Sequence, residues 1–167
     1  MTEAHMVLVT SQNEETTLLG KTKKDYAIIL KWMSFFNSEI IIPLVEVYLP
    51  LVGIRPYNKE TVDMFANMAQ AAVDVVEEHL DGKPFLVGEE ITLADLFCAG
   101  LISIGFMFFY GKAWRQANPN VSRWYERITN QPIYTAVTEK IEFLDEPKLI
   151  NAPPKHVETE PVPETPN

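Results

Sequence analysis

Fifteen consecutive residues, Leu96 to Tyr110, carry no charge. A membrane-spanning helix needs about 18 or more such residues. Asp95 and Lys112 bracket the run, and Gly100 and Gly105 thin it. The segment therefore reads as a helix of about Leu93 to Phe109, buried inside protein. A helix that is apolar on every side needs cover, and the rest of the chain must provide it.

The flanking sequence supplies that cover as helices. Tyr26, Ile29, Leu30, Met33, Phe36 and Ile40 recur at three- and four-residue steps, which predicts a long helix from Thr22 or Lys23 with one apolar face. Pro43 should kink it, because proline removes a donor and its ring clashes with the carbonyl four residues back. Leu44 to Leu51 can continue the helix until Pro50, Gly53 and Pro56 stop it. Asn58 is placed to cap a second long helix with the stripe Val62, Phe65, Met68, Ala69, Ala72, Val73, Val76 and Leu80, ended by Asp81-Gly82. After the central helix, Asn118 as cap and Pro119 in the first turn start a fourth, carrying Val121, Trp124, Tyr125 and Ile128. A short fifth follows Pro132. Strand and helix patterns do not alternate, so no parallel sheet is expected. The fold class is an all-α bundle.

The start of the central helix carries the most specific local signal, Ile91-Thr92-Leu93-Ala94-Asp95-Leu96. Thr92 can accept from the Asp95 N–H while the Asp95 carboxylate reaches back to the Thr92 N–H, which closes a capping box with Asp in place of Glu. Ile91 and Leu96 stand where a hydrophobic staple forms. A buried helix start cannot leave its free N–H groups to water, so the box is read as structural.

Composition narrows the function. The chain of 167 residues has a net charge of −9; without the three glutamates of its final stretch the remainder still carries −6. Such a surface repels phosphate backbones and anionic lipid, so neither nucleic acid nor membrane is expected as a partner. Arg115, Arg123 and Arg127 read as a solvated face pairing with Glu126. One cysteine, Cys98, permits no internal disulfide. His5, His79 and His156 are scattered without metal-ligand spacing, so no metal site is expected. Residues 1–9 carry no secretory pattern, and a cytoplasmic setting is the expectation. Residues 6–10 could form one short strand.

The stretch Phe85-Leu-Val-Gly88-Glu-Glu-Ile-Thr92-Leu-Ala-Asp95-Leu resembles the signature of glutathione transferase C-terminal domains. Leu19-Gly-Lys-Thr22, Gly105 to Lys112, Trp114-Arg115, Asn118 to Tyr125 and Gln131-Pro-Ile-Tyr134 are similar to the transferase-like domain of the gamma subunit of the eukaryotic elongation factor 1 complex, fungal forms above all. The similarity runs from about Leu18 to Pro154. It implies a helical domain over residues 21–150, a poorly structured linker remnant over 1–20, and a disordered, acidic, proline-rich tail over 151–167.

In that family a thioredoxin-like domain precedes the helices and holds glutathione. The thiol-activating residue, cis-proline and Glu-Ser pair of that domain have no counterpart in context here, so the thioredoxin-like domain is expected to be absent. The resemblance then implies no cofactor in this chain, with glutathione bound only if a thioredoxin-like domain is supplied. No catalytic residue is identified. The family's interdomain cleft is lined by its first and third C-terminal helices, which makes Trp32, Phe35, Phe36, Phe106, Phe109, Tyr110 and Trp114 candidates for an apolar substrate or partner face, against the alternative of plain core packing. Left uncovered, that face would favour a small apolar ligand, a protein partner, or a homodimer or heteromer. Two functions remain open: a stand-alone transferase-like protein acting on or carrying a small apolar molecule, as in fungal secondary-metabolite biosynthesis, or an interaction scaffold related to the elongation factor subunit.

Overall fold

A computed structural model describes residues 10–154 except 12, 14, 15 and 140. Every regular element among them is helical: α1 (Lys23–Phe35), a π turn (Phe36–Ile40), α2 (Ile41–Leu51), α3 (Lys59–His79), α4 (Leu93–Phe108), α5 (Lys112–Ala117), α6 (Pro119–Thr129) and α7 (Pro132–Thr135). The strand expected over residues 6–10 lies outside the described residues apart from Thr10, and so does the tail beyond Pro154.

The first helix runs on past Pro43, where a kink was expected, by way of the π turn. The proline ring would strike the carbonyl of Glu39, and Glu39 falls within the π turn, where the helix widens before α2 resumes. From Lys23 to Leu51 the helix is long and apolar enough to cross a membrane by length and composition alone. Its buried residues Ile29, Met33, Phe36, Ile40 and Leu44 belong to the same core as α4, which is how a core helix is used. Both ends are closed locally. Thr22 and Asp25 form a capping box at the start, and Gly53, with φ of 79°, takes the left-handed conformation that ends the helix. Asn58 caps α3 by accepting from the Thr61 N–H at 2.9 Å.

α4 runs through the middle, with Ala94, Asp95, Cys98, Ala99, Ile102 and Phe106 fully buried. Its capping box closes as expected, and Ile91 and Leu96 both pack against the core. Asp95 does more than cap. One carboxylate oxygen accepts from the Thr92 N–H and the Thr92 hydroxyl, both at 2.9 Å. The other accepts from the Leu86 N–H and the Trp124 indole N–H, again at 2.9 Å. Four donors on a carboxylate with 0% exposure tie the 80–92 loop and α6 to the start of α4. The Leu86 carbonyl in turn accepts from Nε2 of His79 at 2.9 Å, which fixes that imidazole as the Nε2–H tautomer.

Several expectations need correction. The Asn118 side chain does not cap α6; it bonds the Trp114 carbonyl and Gln70. Glu77 of α3 caps α6 instead, accepting from the Asn120 and Val121 N–H groups at 2.9 and 2.8 Å. Met68 and Tyr26 were placed on buried stripes by spacing, yet they are 47% and 38% exposed. Arg115 and Arg123 do not pair with Glu126. They donate to carbonyls, Arg115 to Tyr110 and Arg123 to Leu80, while Arg127 lies over the Phe85 ring. At the edges of the helical region the Leu18 carbonyl accepts from the Leu93 N–H at 2.8 Å, and Asn151 accepts from the Tyr57 hydroxyl at 2.8 Å.

Asp95→Ala leaves buried N–H groups of Leu86 and Trp124 without an acceptor and should cost about 3 kcal/mol or more. Asp95→Asn should also destabilise clearly, because its amide N–H₂ must face donors. Thr92→Ala should cost about 1 kcal/mol, and the double mutant should be less than additive. Denaturant midpoints decide all four.

His79 supplies a pH dependence. Burial pushes its imidazole below the ordinary value, helped by the charges of Lys83 and Lys31, against the pull of the Leu86 carbonyl and Asp95. An unfolded imidazole therefore takes its proton first as the pH falls through about 6.5. The unfolded state then binds more protons, and stability drops with pH in that window. His79→Gln should remove this component from a plot of stability against pH between 7.5 and 5.5.

Candidate functional site

The seven aromatic candidates separate into two groups. Trp32, Phe36 and Phe106 are core, at 2%, 0% and 0% exposure, so they present no face to a ligand. α6 covers two of them, with the Phe36 ring 5.9 Å from Trp124 and Phe106 stacked on Tyr125 at 3.8 Å and 4°, while the Trp32 ring lies 4.4 Å from that of His79 at the end of α3. Phe35 is half-buried and edges onto Trp32 at 5.7 Å. The expected face thus fails for these residues, because helices within the domain already cover it. The Trp32 indole N–H is buried without a hydrogen-bond partner.

Phe109, Tyr110 and Trp114 form the second group, at the corner between α4 and α5. The helix ends there because the N–H groups of Phe109 and Tyr110 both turn to the Gly105 carbonyl at 2.8 Å. Tyr110 then folds back over Gly105 so closely that a β-carbon there would collide with the phenol ring. That ring stacks on Trp114 at 3.6 Å and 4° and meets Phe106 edge-on at 5.3 Å. Tyr110 is itself 5% exposed, so as a broad surface it too is withdrawn.

What the corner does offer is a half-open cavity of about 170 Å³. Phe109, Tyr110 and Trp114 form one side, Leu44 and Val47 of α2 another, and Ala66, Ala69 and Gln70 of α3 the third. The two alanines leave room opposite the rings. Gln70 has its polar capacity filled: Oε1 accepts from the Trp114 indole N–H at 2.7 Å, and Nε2 donates to Asp74 and Asn118. The Tyr110 phenol is pushed well above its ordinary pKa by burial, so it stays protonated at neutral pH. The residues from α2 and α3 were not anticipated. The available signal was the pair of small residues and one glutamine beside the buried stripe of α3.

A second cleft, of about 220 Å³, lies where residues 17–25 meet the loop before α4. Thr17, Lys21, Asp25, Glu89, Glu90 and Thr92 line it, and an exposed Lys21–Glu90 ion pair at 3.0 Å spans it. Exposed pairs of this kind contribute little. The described residues hold no strand and no cis peptide bond. The thioredoxin-like elements that hold glutathione in the family the sequence resembles are not among them.

Comparison with known proteins accords with this architecture. The family model for the glutathione S-transferase C-terminal domain matches residues 24–132. Glutathione S-transferase psoE of Aspergillus fumigatus is 65% identical over 147 residues, covering 88% of this chain and 62% of that protein. Elongation factor 1-gamma 1 of Saccharomyces cerevisiae is 32% identical over 135 residues, covering 80% of this chain and 32% of that protein. The crystal structure of the GST-like domain of elongation factor 1-gamma from Saccharomyces cerevisiae superposes with a TM-score of 0.79 at 29% identity, covering 93% of this chain and 73% of that one. The chain spans less than two thirds of the length of the transferases it matches. With the matched segment coinciding with α1 to the start of α7, the chain belongs to the glutathione S-transferase family and carries its C-terminal helical domain.

Proposed function

We propose that this chain is the ligand-holding helical part of a glutathione S-transferase-like protein that acts on or carries a small apolar molecule, as an accessory protein of fungal small-molecule biosynthesis. The observation that carries this reading is the aromatic-walled cavity at the α4–α5 corner, in a chain 65% identical to a protein named as a glutathione S-transferase. Pockets that hold small molecules are mostly apolar with few polar groups, as this one is. A cytoplasmic setting accords with it, since Cys98, the single cysteine, is a fully buried thiol. Glutathione would come from a thioredoxin-like domain.

A second reading is a protein-interaction module, in a chain that is also similar to proteins named elongation factor 1-gamma. It is favoured by an exposed apolar stripe on α3, where Met64, Met68 and Val75 are 50%, 47% and 49% exposed on one side of the helix. Such a stripe suits a protein partner or a second copy of the chain.

The 167-residue polypeptide should not be retained on immobilised glutathione and should not accelerate conjugation of a generic electrophile, yet it should bind an apolar fluorescent dye as a monomer. Retention released by free glutathione, or robust turnover, would overturn the first part. Sedimentation across a dilution series addresses the second reading. A dimer that Met68→Glu dissociates, with no dye binding, would favour the interaction module over the carrier.

A further inference from the structure

Beyond α7, residues 141–154 form no regular element, yet they are fastened to every element that walls the cavity at the α4–α5 corner. At the corner itself, the Leu149 N–H donates to the Phe108 carbonyl at 3.1 Å, and the Lys112 N–H donates to the Asp145 carbonyl at 2.8 Å. The Arg115 guanidinium donates to the Tyr110 and Leu144 carbonyls, one on the corner and one on the strap. The Leu149 side chain packs on the cluster of Val47, Leu51 and Val62, which α2 and α3 build and on which Phe109 also packs. At the start of α3, the Asn151 amide donates to the Lys59 carbonyl at 3.2 Å and to the Asp63 carboxylate, and its oxygen accepts from the Tyr57 hydroxyl. None of the residues lining the cavity belongs to this strap. It therefore ties the walls together from behind and does not cover the mouth.

The strap has a built seat. Gly111, with φ of −67° and ψ of −179°, sits in extended backbone that any residue can adopt. A β-carbon there would nevertheless lie 2.9 Å from both the Asp145 carbonyl oxygen and the Pro147 ring, so the missing side chain makes room for the strap. The hold is light all the same. No residue from 141 to 154 is buried, and residues 142, 143, 145–148, 150 and 153 are exposed. A segment with exposed hydrogen bonds and little buried apolar surface opens at a lower free energy than the core beneath it.

We propose that this strap is a releasable clamp on the cavity: it leaves the corner and α3 as one unit, and its release frees the wall of Phe109, Tyr110 and Trp114 so that an apolar molecule can enter and leave. The proposal rests on the apolar-ligand reading above and adds its regulation. Exchange of the guest then waits on strap opening, as it does for enzymes gated by loops, and the Asn151 anchor sets how often the strap opens.

Hydrogen exchange of two amides in the whole chain, followed by NMR, reads the opening. The Leu149 N–H belongs to the strap and the Lys112 N–H to the corner, so a single event must expose both. Their protection should be equal, and lower than that of the Trp124 indole N–H in the core. Asn151→Ala removes the anchor at the far end and should lower both by about tenfold, the factor expected for losing hydrogen bonds of this kind. N-phenyl-1-naphthylamine, a neutral apolar fluorescent dye, reads the gate by stopped flow. Its on-rate and off-rate should both rise by the factor measured at the amides, with the affinity unchanged. Gly111→Ala, which pushes on the strap at its crossing, should raise both rates as well. Unequal protection of the two amides in the parent chain, protection of both at the Trp124 limit, or dye rates that Asn151→Ala leaves unchanged would each overturn the clamp and leave the carrier reading standing. A dye that does not bind, or that Ala66→Phe at the cavity rim fails to displace, defeats both.

Discussion

A charged group with no exposure, the Asp95 carboxylate, accepts four hydrogen bonds at the start of the most apolar helix in the chain. Burial pushes its pKa up, while every partner it has is a donor and pulls the other way. A carboxylate in that position is tolerable only while its donors stay in place. The donors come from the cap residue, from the 80–92 loop and from α6. The rest of the bundle is therefore arranged around keeping those three elements together. His79 extends the arrangement by holding the Leu86 carbonyl, and Glu77 extends it by capping α6 from α3.

The consequences reach the cavity through aromatic contacts. Trp124, held by Asp95, lies against Phe36. The next residue of α6, Tyr125, stacks on Phe106. Phe106 meets both Tyr110 and Trp114 edge-on, and those two stack on each other to form one side of the cavity. Side chains in contact at close-packed density do not adjust independently. The corner that offers a ligand its rings is thus set by a chain of contacts that begins at the capping box. The proximity of Tyr110 to Gly105 adds a second constraint, since only glycine leaves space for the ring to fold back.

Much of this was legible in the sequence wherever the signal was local. The spacing of Thr92 and Asp95 announced the box, Asn58 announced the start of α3, and the uncharged run from Leu96 announced the central helix. What was not legible depended on residues far apart in the chain. Nothing near Pro119 indicates that Glu77, 43 residues away from Asn120, provides its cap. Phe36 lies on the apolar face that periodicity marks and Phe106 in the uncharged run, but neither signal could say that α6 covers them. The cavity was visible only in part, because Phe109, Tyr110 and Trp114 are conspicuous aromatics whereas Ala66, Ala69 and Gln70 matter through what they leave open. Pro43 was expected to kink the helix; what the local sequence did not signal is that the helix passes it through a π turn over Phe36–Ile40.

The central claim is that the Asp95 network is part of the globally cooperative core. Hydrogen exchange of the Trp124 indole N–H, read by NMR beside that of Trp114, tests it most directly. Trp124 should exchange only through global unfolding, with a protection free energy equal to the stability from denaturant titration, while Trp114 at the cavity should exchange through smaller local openings. Trp124 exchanging as readily as Trp114, far below the global limit, would contradict the account.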